Sequence, residues 1–277
     1  MEPIINYLTE KYSKGDQYNT LNIHRSAISA FHDVCDTVKV GKHPAVVSIM
    51  SAFFNARPPL PRYAYTWEVQ TVLDYILALG ENKNLALKQL TMKTAMLLAM
   101  ACAGRSSDLC AFDIRYMRME SEKVTFTLAK LTKSRRKGKP PLKIEMTALR
   151  ENLNLCVRST LQVYLERTSQ FRERSDGSRN QLFLSFVEPH RPVVPCTIAG
   201  WLVKLMTQAG INTEEFKAHS TRGASTSKAA AMGLSVKEIM NMAKWKHEAT
   251  FYNHYCKEII DASKSKTKKF ENVVLLG

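Results

Sequence analysis

The chain has 277 residues, of which 45% are hydrophobic and 23% are charged, a balance typical of a globular protein with a sizeable core. Its 40 lysines and arginines exceed its 25 aspartates and glutamates, so the formal net charge is +15. Such an excess is typical of proteins that bind a polyphosphate, because each neutralised phosphate releases condensed counterions. A basic surface that only maintains solubility is the alternative interpretation.

The cysteines and the apolar segments exclude several classes of protein. The six cysteines contain no C-x-x-C pair, which argues against a zinc site and a disulfide framework and predicts a reducing, intracellular compartment. The N-terminus has no basic segment followed by an apolar one, so no signal peptide is expected. The longest apolar run, residues 94–103, is about half the length that crosses a bilayer, and no membrane partner is expected.

Residues 1–57 are predicted to form a small helical domain. One helix is expected to carry an apolar face formed by Ile23, Ile28, Phe31 and Val34, and a second helix is expected at residues 45–54. Three prolines within residues 58–62 cannot continue a helix, so this segment is a predicted linker between two domains.

Residues 63–262 are predicted to form a larger domain that is mainly α-helical with a small antiparallel β-sheet. The segment 85–103 is apolar nearly all round, which predicts a central buried helix. Alternating residues at 123–128 and 142–146 predict a hairpin around a basic loop, 134–139. Other helices are expected at 67–79, 148–167, 197–210, 220–232 and after the capping box 235–238, with a short strand at 182–186. Residues 263–277 form a predicted basic tail.

The segment around residue 220 carries the most informative residues. His219 and Arg222 are three positions apart, so they lie on one face if the segment is helical and can meet one small anionic group. Lys217 precedes them, and an indole N–H donor, Trp245, and a phenol, Tyr255, follow. Taken singly, each has an ordinary structural explanation. Taken jointly, the set suits a phosphodiester and suits a metal poorly.

Two further basic residues extend this set. Arg105 follows the apolar helix directly, and Asp108 could hold it in place while its guanidinium meets a phosphate oxygen. A purely structural arginine–aspartate pair is the alternative. Lys133 lies at the end of the first hairpin strand, where solvated lysines are common, and Lys130 is a competitor predicted on the opposite face.

This order of residues resembles the active site of the tyrosine recombinase (phage integrase) family. The resemblance covers residues 61–257, and the N-terminal helices resemble the family's core-binding domain. The motifs Leu-Thr-Lys-Ser, His-Ser-Thr-Arg-Gly and Ala-Lys-Trp look most like the eukaryotic mobile-element branch, such as the retrotransposon-borne and Crypton-type recombinases. The positions that match the family's active site are Arg105, Lys133, His219, Arg222, Trp245 and Tyr255.

The resemblance implies a site-specific recombinase that cuts and rejoins double-stranded DNA through a 3′-phosphotyrosyl intermediate, with no metal or other cofactor. It also implies a homo-tetramer on two DNA duplexes, a monomer or dimer without DNA, and a nuclear location. Further DNA contacts are expected from Arg135, Arg136, Lys137, Lys139 and Lys217.

Two departures from the family leave alternatives open. The common spacing of nine residues from Trp245 to the nucleophile falls on His254, whereas Tyr255 is ten residues away and Tyr252 is a less favoured nucleophile. The N-terminal domain is also short for the family, which leaves open whether the chain is a fragment. The rival functions are a catalytically inactive, domesticated DNA-binding protein and a type IB topoisomerase-like enzyme. A metal-dependent nuclease is disfavoured because the sequence shows no cluster of Asp, Glu and His.

Overall fold

The computed structural model describes residues 1–32, 34, 37–60, 63–129, 138, 140–173 and 178–260. The chain divides into two compact units, Met1–Tyr63 and Ala64–Gly277. The predicted fold class, mainly helical with a small antiparallel sheet, is confirmed. None of the described helices is long and apolar enough to cross a membrane.

The first unit contains helices α1 (Glu2–Ser13), α2 (Tyr18–Phe31) and α3 (Pro44–Ala56). Each helix contributes apolar side chains at helical spacing to one small core, as expected for short amphipathic helices. The fully or nearly fully buried members of this core are Leu8, Leu21, Val40, Val46, Met50 and Phe53.

The apolar face predicted from Ile23, Ile28, Phe31 and Val34 falls on helix α2 and its C-terminal end, and it is wrong except at Ile28. Helix α2 packs through Leu21 and, in part, through Ile28. In contrast, Ile23 is 70% exposed and Phe31 is 94% exposed. The helix ends at Phe31, so Val34 lies beyond it and is also exposed. The apolar spacing is compatible with more than one face, and the face that meets α1 and α3 is not the one with most apolar residues.

The second unit is built around a central helix, as the apolar pattern predicted. Its helices are α4 (Val69–Ala78), α5 (Leu87–Ala101), α6 (Ser106–Cys110), α7 (Val157–Glu173), α8 (Pro195–Gln208), α9 (Ser220–Ala231), α10 (Val236–Ala243) and α11 (Glu248–His254). Ten of the fifteen residues of α5 are buried, and α5 contacts α7, α8 and α9. Helix α5 therefore fixes the positions of the elements that carry the candidate site.

Two small sheets among the described residues complete this unit. Strands β2 (Met117–Met119), β3 (Lys123–Leu128) and β4 (Leu142–Thr147) form an antiparallel sheet in the order β2-β3-β4. The two predicted hairpin strands are therefore confirmed, while most of their connecting loop lies outside the described residues. Strand β1 (Tyr65–Trp67) pairs in parallel with β5 (Glu258–Ile260), an arrangement that joins the start of the unit to the segment after Tyr255.

One predicted element of this unit is wrong, and two predicted helices are present but begin later than expected. Residues 182–186 form no strand. Leu182, Phe183 and Leu184 are buried, but they lie in a short irregular segment whose only β-pairing among the described residues is an isolated bridge from Leu184 to Pro192. A short apolar run in a sequence is compatible both with a buried strand and with a buried irregular segment. The helix predicted from residue 148 begins at Val157, because the Asn152 side chain accepts two backbone N–H groups and holds a turn there. The helix predicted from residue 67 begins at residue 69, since strand β1 occupies residues 65–67.

Candidate active site

Helix α9 places His219 and Arg222 in its first turn, as their spacing predicted. His219 is the N-cap residue, and its side chain is exposed, whereas Arg222 is only 2% exposed. Trp67 of β1 donates its indole N–H to Ser220 Oγ at 2.9 Å in the buried interior. This bond fixes the beginning of α9. The side chain of His219 therefore lies on the solvent side of the helix, and that of Arg222 lies on its buried side.

Arg222 joins two chain segments that each lead into a further site residue. Its Nη1 donates to the carbonyl oxygen of Ala103 at 2.6 Å, and its Nη2 donates to the carbonyl oxygen of Ala243. Arg105 follows the first of these carbonyls by two residues, and Trp245 follows the second by two residues. Arg222 therefore fixes the backbone just before Arg105 and just before Trp245, and the same side chain also lies in the candidate site.

The backbone turns sharply at both of these segments. Ala103 has φ +45° and Lys244 has φ +58°, a left-handed conformation that costs about 1 kcal/mol or more for a residue with a side chain. Gly104 lies between Ala103 and Arg105, and a Cβ atom there would stand 2.8 Å from Cys102 Sγ. A larger residue at this position would require the buried Cys102 thiol to move, which favours glycine before Arg105.

Tyr255 lies against His219, Trp245 and Arg222. Its hydroxyl is 2.9 Å from His219 Nε2, and the tautomer of the imidazole decides which group donates. Its ring stacks on Trp245 with centroids 4.4 Å apart. The guanidinium carbon of Arg222 is 4.8 Å from the Trp245 ring centroid and 5.5 Å from that of Tyr255. Residues separated by 36 positions in sequence therefore form one cluster.

The competing tyrosine lies elsewhere. Tyr252 is 54% exposed, and its ring contacts Phe251 at a centroid distance of 5.3 Å. His254, at the common family spacing, is exposed and ends helix α11. The structure thus brings Tyr255, rather than Tyr252 or His254, into hydrogen-bonding distance of His219.

The cluster contains two buried donors that lack a hydrogen-bond partner within the described part of the chain: Arg222 Nε and Trp245 Nε1. Each such unsatisfied buried donor costs about 1–3 kcal/mol. Burial, together with the nearby charge of Arg105, lowers the pKa of Arg222 to about 10. An anionic oxygen at this place would accept from the unsatisfied donors and stabilise the buried charge.

Arg105 and Asp108 are also brought together, mainly through the backbone. The Arg105 N–H donates to Asp108 Oδ2 at 3.0 Å, while Arg105 Nη1 lies 3.7 Å from the same oxygen. The Arg105 side chain is 23% exposed, and Arg105 lines a groove of about 500 Å³ together with Lys217 and His219. Lys217 is exposed and donates to the carbonyl oxygen of Thr213 at 2.7 Å.

Several predicted site residues lie outside the described residues: Lys133, Arg135, Arg136, Lys137 and Lys139. The described residues contain no group of three or more His, Cys, Asp or Glu side chains placed to hold a metal ion. Sequence analysis missed Lys204, which lines the groove, and Ser227, which donates to the carbonyl oxygen of Tyr255. No pattern in the sequence separates these residues from the other lysines and serines.

Solved structures of DNA recombinases and integrases are similar to this chain in fold. The Tn1549 transposon integrase in complex with transposon right end DNA gives a TM-score of 0.60 at 14% identity, covering 99% of this chain and 84% of that chain. The XerH site-specific recombinase bound to difH substrate gives 0.52 at 11%, covering 90% and 73%. A lambda integrase dimer bound to a COC′ core site gives 0.51 at 15%, covering 98% and 82%. The fold is therefore that of the tyrosine recombinases.

The family of this chain is assigned by comparing its amino-acid sequence with models of protein families. The model of the phage integrase family matches residues 69–259, which include every described residue of the cluster around Tyr255. The chain belongs to the phage integrase family. A search of curated proteins found no significant match to this sequence.

Proposed function

We propose that this protein is a site-specific DNA recombinase that cuts and rejoins double-stranded DNA through a 3′-phosphotyrosyl intermediate, independently of metal ions. The observation that carries this proposal is the 2.9 Å contact between the Tyr255 hydroxyl and His219 Nε2, beside the unpaired buried donors of Arg222 and Trp245. Membership of the phage integrase family and the likeness to recombinases solved with DNA support it.

The proposed reaction uses the residues in distinct roles. The Tyr255 oxygen attacks the phosphorus, and its proton passes to His219 as the P–O bond forms. Arg105, Arg222 and the Trp245 indole N–H donate to the non-bridging oxygens, where negative charge increases.

The bond from phosphorus to the 5′-oxygen then breaks, and Lys133 protonates the leaving oxygen, a role that rests on the family resemblance. Attack by the 5′-hydroxyl of another strand releases Tyr255 and restores the phosphodiester. Bonds are exchanged one for one, so rejoining needs no external energy source.

The assembly and the lineage are part of the same proposal. Strand exchange between two duplexes requires four active sites, so we propose a homo-tetramer on two DNA duplexes and a monomer or dimer without DNA. The basic residues Arg135, Arg136, Lys137, Lys139 and Lys217 are proposed to contact the DNA backbone. The motifs around His219 and Trp245 support placement in the eukaryotic mobile-element branch, for which the proposed location is the nucleus.

A trapping experiment tests this function. The full chain is incubated in EDTA with a pool of duplexes that carry nicks or 5′-bridging phosphorothioates, and DNA-linked protein is resolved on a denaturing gel. We expect a linked band for the wild type and for Tyr252→Phe, and none for Tyr255→Phe. A band that persists in Tyr255→Phe would contradict the assignment of the nucleophile.

Two further assays of the same protein, DNA binding under native conditions and relaxation of a supercoiled plasmid, distinguish the rival functions. DNA binding without any linked band would favour a catalytically inactive DNA-binding protein. Relaxation of supercoiled DNA by a monomer, without pairing of two duplexes, would favour a type IB topoisomerase-like enzyme.

A further inference from the structure

Strand β1 contacts the chain on both sides of His219. Trp67 donates its indole N–H to Ser220 Oγ at 2.9 Å, and both residues are buried. The Tyr65 hydroxyl donates at 3.0 Å to Oε2 of Glu215, which lies four residues before His219. The strand therefore holds the turn that precedes α9 as well as the first residue of that helix.

The same strand also holds the segment that follows Tyr255. Strand β5 begins three residues after Tyr255 and pairs in parallel with β1, with Trp67 opposite Ile260. Backbone hydrogen bonds across this pairing fix β5 relative to β1. The imidazole of His219 and the phenol of Tyr255 are thus attached to one strand by two separate routes, although 36 positions separate them in sequence.

The contact between His219 and Tyr255 tolerates little displacement. Its length of 2.9 Å lies within the range of about 2.6–3.2 Å over which a base takes a proton directly. The His219 side chain is exposed, so its position depends strongly on the backbone beneath it. That backbone is held one residue further on by the buried bond from Trp67 to Ser220. A small shift of the first turn of α9 would therefore separate the imidazole from the phenol.

We propose that Trp67 is a positioning residue for DNA cleavage: through Ser220 it holds His219 where the imidazole takes the proton of Tyr255. Trp67 is buried and therefore acts without touching the DNA. This inference rests on the proposed function, because it assumes that His219 is the base for Tyr255. Loss of the indole donor should slow the bond exchange at phosphorus and leave DNA affinity unchanged.

The kinetic test measures single-turnover cleavage and DNA affinity separately, on the full chain and on a duplex to which the wild type becomes linked. Trp67→Phe keeps a buried aromatic ring and removes the N–H donor, and Ser220→Ala removes the acceptor. We expect each change to slow cleavage about ten- to a hundredfold, the effect of a misplacement of about 1 Å, with Kd unchanged. Because both changes break one bond, the double variant should be no slower than the slower single variant. Wild-type rates in both single variants, effects that multiply in the double variant, or a loss of affinity that accounts for the slowing would overturn the proposal.

The matched control lies next to Trp67 on the same strand. Thr66 is buried, and its hydroxyl has no hydrogen-bond partner within the described part of the chain. Thr66→Val removes that hydroxyl and keeps the shape of the side chain, so this variant should cleave at the wild-type rate. Slowing of Thr66→Val to the rate of Trp67→Phe would show that the strand is sensitive to any substitution, and would overturn a specific role for the indole.

Nitrogen NMR of protein labelled at histidine reports on the same contact without DNA. The His219 resonances are assigned by their loss in His219→Gln, and Tyr255→Phe gives their position when the phenol hydroxyl is absent. We expect Trp67→Phe and Ser220→Ala to move the Nε2 resonance towards the Tyr255→Phe value, and Thr66→Val to leave it in place. An Nε2 resonance that stays at the wild-type value in both of the first two variants would overturn the proposal.

The outcomes also separate this inference from the proposed function. Movement of the resonance in a protein that never becomes linked to DNA would leave the role of Trp67 in holding His219 standing and refute the recombinase. Linkage to DNA, with wild-type rates and resonances in Trp67→Phe, would do the reverse.

Discussion

Arg222 combines a structural and a chemical role in one side chain. Its Nη atoms hold the carbonyl groups of Ala103 and Ala243, and its Nε remains without a partner in the described chain. We expect Arg222→Ala to lower the single-turnover rate of DNA cleavage by about 3 kcal/mol of transition-state stabilisation, roughly a hundredfold, by analogy with removal of an oxyanion donor.

The same change should also destabilise the fold, since two buried carbonyl groups lose their donors, at about 1–3 kcal/mol for each. Urea unfolding measures that part, and cleavage is compared without denaturant at a temperature where both proteins are folded. Arg222→Lys is the matched control, because it keeps the charge but not the planar fork of donors. Cleavage by folded Arg222→Ala at the wild-type rate would refute the role.

Lys93 is a buried base whose charge opposes folding. The side chain is completely buried in α5, and its Nζ donates to the carbonyl oxygen of Gly80 at 3.4 Å. Burial lowers the pKa of Lys93 from its ordinary value of 10.5 to about 8. Between these two pH values the unfolded chain binds a proton that the folded chain lacks, so the free energy of unfolding rises with pH in this window.

Lys93→Met removes that dependence. We expect the variant to be more stable than the wild type below pH 8, by about 3 kcal/mol at most, and the difference to shrink as the pH rises towards 10.5. Urea unfolding of both proteins at several pH values measures the difference, with the exposed Lys83→Met as control. A difference that does not vary with pH would show that the buried amine does not titrate as described.

At the scale of elements, Ser227 ties the helix of Arg222 to the segment that carries Tyr255. Its Oγ donates to the carbonyl oxygen of Tyr255 at 2.7 Å and accepts from the N–H of Lys257 at 3.0 Å, and the residue is 4% exposed. We expect Ser227→Ala to slow single-turnover cleavage severalfold and to leave DNA affinity unchanged, because the phenol loses its fixed position while the phosphate contacts remain.

The matched control for this change lies on the same helix. Ser225 donates to the carbonyl oxygen of Thr221 within α9, a bond that does not involve the Tyr255 segment, so Ser225→Ala should cleave like the wild type. Equal cleavage rates for the two variants would contradict a positioning role for Ser227.

The sequence predicted those elements whose pattern admits one interpretation. Helix α5 is apolar nearly all round, which favours a central position, and alternation in β3 and β4 has the period of a strand. Segment 182–186 is a short apolar run. Its pattern predicts burial, but a strand and an irregular segment can both be buried, so the pattern does not tell them apart. The parallel pairing of β1 with β5 joins residues 193 positions apart at Tyr65 and Glu258, and no local pattern indicates such a long-range contact.

At the scale of the whole molecule, the net charge and the order of the site residues indicated more about function than the pattern of any single helix or strand. The net charge of +15 predicted a polyanionic ligand, and the order of Arg105, His219, Arg222, Trp245 and Tyr255 predicted a cluster that the second unit indeed brings together. The position of Ser227 could not be predicted in this way. It depends on how α9 packs against the segment that carries Tyr255, whereas the family motif depends only on sequence.

The central claim is that the Tyr255 oxygen becomes covalently bonded to DNA. Tyr252 and Tyr255 lie on the same tryptic peptide, residues 247–257, so fragmentation of that peptide by mass spectrometry distinguishes them. The measurement uses protein trapped on nicked DNA in EDTA, digested with nuclease and trypsin. We predict a nucleotide phosphate on Tyr255. A modified Tyr252, or an unmodified peptide from protein that demonstrably binds the DNA, would contradict the account.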